Sequence, residues 1–240
     1  MAKATYLKTR DASLPSGGND PVAAFTIPVL NGLTLAYLFS GGTSKAHRNY
    51  APGAMDGSVV GEPTSPGRYV RFSGVDSYVN TGVAETLAVT CFVIARVPLN
   101  ETAAFIGSPG DASNAGFAMY STGPGNVTMN SETTAGRVMT VMSVTPIDWQ
   151  FLCGITPATG GREQLRNLKT GAVVTNANTA NRANTVIDGL CIGTASPGSS
   201  TWKTVDILAV VYFNRVLSDP EIDAMTAWGR AYAADFGVTV

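Results

Sequence analysis

Charge is scarce in this chain: Asp, Glu, Lys and Arg make up 14% of its 240 residues, against roughly 25% in an average soluble domain. The formal net charge is −1. A nucleic-acid partner, which needs a basic face, is therefore not expected. Histidine occurs once, at His47, and cysteine three times, at Cys91, Cys153 and Cys191. With no close cysteine pair, neither a disulfide framework nor a zinc site is indicated, and the three read as buried thiols inside apolar runs. No apolar run approaches the ~20 residues needed to span a bilayer. The start carries Lys3 and Lys8 but no apolar stretch behind them, which predicts synthesis in a cytoplasm without a signal peptide.

Catalytic patterns are missing too. Glycoside hydrolysis needs two carboxylates facing one cleft. The glutamates Glu62, Glu85, Glu101, Glu132, Glu163 and Glu221 are scattered, mostly in expected loops. A Ser-His-Asp triad would have to use His47, and no Gly-x-Ser-x-Gly elbow accompanies it. Gly41-Gly42-Thr43-Ser44-Lys45 places its lysine wrongly for a phosphate loop. No enzyme, cofactor or metal site is expected.

What is abundant is turn residues and short apolar runs: 26 Gly and 13 Pro punctuate strand-like segments from Leu33 onwards. In Leu87–Val97, residues Leu87, Val89, Cys91, Val93 and Ala95 share one face, and Phe92 and Ile94 the other. Further strands are expected at 103–106, 117–120, 126–129, 137–144, 149–155 and 186–192. Val205–Phe213 is apolar at nearly every position, which predicts a strand covered on both faces. Behind it, Ser218 and Glu221 have capping-box spacing, Leu217 and Ile222 can staple, and Pro220 suits the first turn. Ile222, Met225, Gly229, Tyr232 and Phe236 follow on one stripe before Gly237, predicting one helix over 218–236. Many strands with one late helix predict an all-β, two-sheet antiparallel sandwich. Thr175–Thr185 is a polar, low-complexity loop that either is solvated or presents amides to a partner.

The strand-to-helix ending (Phe213-Asn214-Arg215-Val216-Leu217-Ser218-Asp219-Pro220-Glu221-Ile222) resembles the C-terminal end of LamG-like jelly rolls of the concanavalin A-like lectin/glucanase superfamily. Upstream, Leu35-Ala36-Tyr37-Leu38-Phe39 resembles that family's opening core strand. Gly67–Gly74 followed by Ser77–Gly82 resembles its hairpin, and Trp149–Leu152 and Leu190–Gly193 resemble its later strands. The motifs keep the family's order from Leu33 to the end. The resemblance implies a jelly roll over residues 33–240. It also raises calcium, common in the superfamily; Asp76, Asp111, Asn114 and Asp206 offer oxygens, but no run matches a calcium loop. The paired-acid strand of the family's glucanases is absent.

The opening arm, the segment Gly32–Phe39 and the run Arg48–Gly53 resemble tailed-bacteriophage structural proteins. The implied function is a non-enzymatic virion component of tail, fibre or capsid surface, located in the particle. The alternative is a carbohydrate-binding receptor-recognition module, in which aromatic rings stack on sugars. Trp202 leads those candidates, with Tyr120 and Tyr50 next, while Trp149 and Trp228 read as core. Residues 1–32 read as an extended arm. Tyr6, Leu7, Phe25 and Ile27 are its candidate contacts to other virion proteins or to further copies of the chain, a homotrimer by analogy with virion knobs. A host cell-surface glycan is the other expected partner.

Overall fold

The structure, a computed structural model, describes residues 26–108, 116–123, 125–145, 147–183 and 189–240. Along the chain run β1 (Leu33–Leu38), β2 (Ser58–Val60), β3 (Thr64–Gly67), β4 (Tyr69–Phe72), β5 (Tyr78–Asn80), β6 (Val89–Arg96), β7 (Thr102–Gly107) and β8 (Ala118–Thr122). They are followed by β9 (Asn126–Thr133), β10 (Gly136–Ser143), β11 (Gln150–Thr156), β12 (Gln164–Asn167), β13 (Ala172–Thr175), β14 (Cys191–Ile192), β15 (Val205–Phe213) and α1 (Asp219–Asp235). The strands form two antiparallel sheets, one ordered β13-β12-β11-β6-β15-β4-β3 and the other β10-β9-β8-β7-β14-β5-β2. This is the two-sheet sandwich with one C-terminal helix that the strand pattern predicts. In the first sheet, β6 takes one side of β15. On the other side β1 pairs with Ala209–Phe213 and β4 with Val205–Ile207, end to end.

Alternation sorts the side chains into layers. Val89, Cys91, Val93 and Ala95 of β6 point into the core between the sheets, packing with Phe72, Phe105, Phe117 and Met129. Phe92 and Ile94 point the other way, into a second cluster with Phe151, Phe213 and α1. Leu87, expected on the inner face, lies ahead of the strand and is exposed. In β15 a bulge between Ile207 and Ala209 breaks the alternation. Ile207 and Val210 therefore face the inter-sheet core, while Leu208 and Ala209 both face the helix.

The helix begins as the sequence predicts. The Glu221 carboxylate accepts from the backbone N–H and the hydroxyl of Ser218, both at 2.9 Å, and pairs with Arg215 at 2.5 Å. Leu217 and Ile222 are both buried beside it. Gly229 marks the closest approach of α1 to the sheet, since a Cβ there would collide with the Phe151 ring. Trp228 stacks on Tyr232 with ring centroids 5.5 Å apart.

Three expectations need correction. The segments 67–74 and 77–82 are not a hairpin: β4 belongs to the first sheet and β5 to the second. The chain crosses between layers at a turn where Gly74 has φ 76° and the Ser77 hydroxyl accepts from Ser73 N–H at 2.9 Å. Ile27 does not reach out of the domain but is buried with Val29 in the helix-side cluster. The loop after β13 is not merely solvated, because Arg182 within it is buried. Tyr6, Leu7 and Phe25 lie outside the described residues. The three cysteines are buried free thiols. No helix among the described residues is long and apolar enough to cross a membrane.

Candidate recognition site

Outward-facing positions of the second sheet follow from its register: Ala104 opposes Tyr120, and Tyr120 opposes Thr128. The chain leaving β14 returns across this face. Its Ala195 joins Ala104 and Ala118 in a small cluster against which Tyr120 and Trp202 pack. The floor is built of small residues for a steric reason: a Cβ on Gly107 would run into Ala195 and Ala118. The main-chain N–H of Lys203 bonds the Thr102 carbonyl at 2.9 Å and fixes the returning segment.

On this floor the Tyr120 and Trp202 rings meet edge to face, centroids 5.4 Å apart and planes at 72°. Both side chains are partly exposed. Burial pushes the Tyr120 phenol above its ordinary pKa, with Arg137 opposing the shift. The Trp202 indole Nε1 is enclosed without a hydrogen-bond partner among the described residues. It is a donor lacking an acceptor, which buried polar groups seldom are. Tyr50, the third aromatic candidate, lies elsewhere: it packs against the helix-side cluster of the first sheet, with Arg48 5.2 Å above its ring. The structure therefore joins Tyr120 to Trp202 and separates Tyr50 from both.

Two charged constellations escaped the sequence reading. Between the sheets, Glu85 forms an ion pair with Arg182 and accepts hydrogen bonds from the Ser108 hydroxyl and from Phe117 N–H, the last at 2.9 Å. Glu163 accepts from the Ser131 hydroxyl nearby in the core. Burial raises its pKa to about 7, opposed by Arg182. Separations of 97 residues for Glu85–Arg182 and 32 for Ser131–Glu163 hid these pairings.

The second constellation surrounds Asp206, a calcium candidate. Its side chain is 0% exposed and its oxygens are taken by Arg71 (2.6 and 2.9 Å) and Arg96 (2.9 Å), so it is a structural counter-ion rather than a cation ligand. The legible signal was an acid placed inside an otherwise apolar strand, which must find cations when buried. Asp111 and Asn114 lie outside the described residues, and Asp76 is exposed. His47 faces Asp56 at 4.0 Å, and no hydroxyl among the described residues hydrogen-bonds to its side chain.

No protein-family model matches the chain, and no curated protein sequence matches it. Solved structures do share its fold. The receptor binding domain of botulinum neurotoxin C/D mosaic serotype superposes with TM-score 0.60 at 10% identity, covering 83% of this chain and 52% of that one. A botulinum neurotoxin type C structure, whose cell entry is described as dependent on two ganglioside molecules, gives TM-score 0.58 at 10% identity, over 82% of this chain and 51% of that one. The serotype D ligand binding domain in complex with N-acetylneuraminic acid gives 0.56 at 12% identity, over 82% and 50%. The chain thus spans about half the length of these structures. At such identities the likeness establishes the β-sandwich fold and nothing finer.

Proposed function

We propose that this chain is a non-catalytic recognition module that binds carbohydrate on the outer face of its second sheet. The observation that carries the reading is the Tyr120–Trp202 pair: two partly exposed rings on an alanine floor. Aromatic faces suit the apolar faces of sugars. Sandwiches of this fold that bind gangliosides or N-acetylneuraminic acid support the same reading. Binding to an array of neutral and sialylated glycans tests it. Trp202→Ala and Tyr120→Ala are expected to abolish retention on the neutral glycans while leaving the thermal transition cooperative. Unchanged retention in both variants would refute it.

The particle setting comes from the sequence resemblance alone. In that setting the sandwich is a rigid knob on a bacteriophage tail, fibre or capsid surface, and residues 1–25 tie it to neighbours or to further copies. A knob that binds a host glycan satisfies both readings. Antibody labelling of purified particles by electron microscopy decides whether the chain is a virion component.

A further inference from the structure

The end of the first sheet's outer face, beyond the cover of α1, carries a row of side chains set by strand register. Asp206 opposes Arg71 on one side and Arg96 on the other. Arg96 is clamped: its guanidinium lies 5.0 Å from the Trp149 ring centroid and 5.3 Å from that of Tyr69. Its Nη2 also donates to the Tyr69 hydroxyl at 3.0 Å. Tyr69 and Trp149 meet edge to face at 5.2 Å. Arg71 is held by its two-pronged grip on Asp206.

Two features go beyond what a buried ion pair requires. One arginine neutralises one carboxylate, yet Asp206 has two. The arginine side chains remain 35% and 29% exposed, and the Nη1 of each has no hydrogen-bond partner among the described residues and is not buried. A surplus positive charge with donors already oriented toward solvent is what an anion-binding site needs, because little conformational entropy remains to be lost. Lys169, whose Nζ bonds the Trp149 carbonyl at 3.0 Å, adds a further cation at the rim.

We infer that Arg71 and Arg96 form a second binding site, on the face opposite the Tyr120–Trp202 pair, that takes the anionic group of an acidic saccharide. The two free Nη1 groups receive the anion, and the partly exposed edges of Tyr69 and Trp149 border the sugar. A polyanion such as nucleic acid is disfavoured, since the site offers one pocket of surplus charge on a chain of net charge −1. The site is independent of the proposed neutral-sugar surface and is tested separately from it.

The experiment is calorimetric titration of the full chain with N-acetylneuraminic acid, glucuronic acid, glucose 6-sulfate, inorganic phosphate and galactose, each repeated in Trp202→Ala. The acidic sugars are expected to bind, to compete with phosphate and to bind equally in Trp202→Ala, while galactose does not compete with phosphate. Carboxylate and sulfate arms tell which anion the site prefers. Arg71→Gln leaves Arg96 to neutralise Asp206, so the fold persists while affinity drops about tenfold or more. Arg71→Lys keeps the charge and regains part of the affinity. Asp206→Asn frees both guanidinium groups and strengthens anion binding. Absence of acidic-sugar binding by the wild-type chain, or binding unaltered in Arg71→Gln, overturns the assignment.

Discussion

Glu163 spends its folded life between two sheets with Ser131, Thr140 and Arg182 around it, and burial raises its carboxyl pKa to about 7. A carboxyl whose folded pKa lies above its unfolded value of 4.5 contributes stability below that value and loses it as pH rises through 7. The melting temperature should therefore fall as pH rises from 4.5 to about 7, and Glu163→Gln should flatten that fall. A melting series in matched buffers checks both. Its neighbour in the same layer behaves differently: Arg182→Met strands Glu85 without its cation, and truncating one partner of a buried pair costs about 3–5 kcal/mol. Urea unfolding should show that loss, or the variant should fail to accumulate. Neither residue could be assigned from the sequence. Arg182 stands in a run of Thr, Asn and Ala with no period, and its partner lies 97 positions away. Within that run Asn176 and Asn178 accept from the N–H two residues on at 2.8 and 2.7 Å, which braces the loop that carries Arg182.

Elements were legible to the degree that burial imposed a period on them. β6 separates inner from outer residues without exception from Val89 to Ala95, because both of its faces are covered by different layers. β2, β3 and β13 are mostly exposed, and nothing in their sequences reports a buried face. They were not distinguishable from loops. The helix was legible because its start is chemical rather than periodic, and that start makes its own forecast. The Arg215 guanidinium, together with the Ser218 N–H and hydroxyl, holds the Glu221 carboxyl down at about 2. A depressed carboxyl contributes stability above its unfolded pKa and loses it as pH falls through the folded one. Helical circular dichroism in wild type should therefore persist in acid further than in Glu221→Gln, with the gap closing as pH approaches about 2. Further along, Gly229→Ala drives a methyl into Phe151. Overpacking of this kind costs about 1–3 kcal/mol, measurable as a lower urea midpoint at unchanged slope.

At the scale of the molecule, the arm and the domain meet at Ile27. Ile27 and Val29 are buried against the helix-side cluster and so belong to the domain. We propose that residues 1–25 mediate assembly into a homotrimer. Removing them should leave the melting temperature unchanged and convert the oligomer to monomer in light scattering, whereas removing two or more residues beyond Ile27 should also lower stability. The recognition surfaces divide in the same way between the two sheets. Tyr120 and Trp202 are separated by 82 positions in sequence (202 − 120), so only the fold shows that they meet. Trp149 was legible as a strand opener and packs beside the helix-side cluster, yet its contact with Arg96 depends on register that no local pattern encodes.

The placement of β15 has a consequence for how the chain is made. This strand supplies one side to all of β6 and the other to β1 and β4, yet it is the last strand to be synthesised. Until Phe213 has left the ribosome, three earlier strands each have an open edge where β15 belongs. Ribosomes add about 5–20 residues per second, so Leu33 waits on the order of ten seconds for the partner that completes its pairing. Edges exposed for that long are templates for wrong pairing. Nascent chains stalled before β15 should bind holdase chaperones and resist release, while those stalled after α1 has emerged should let go.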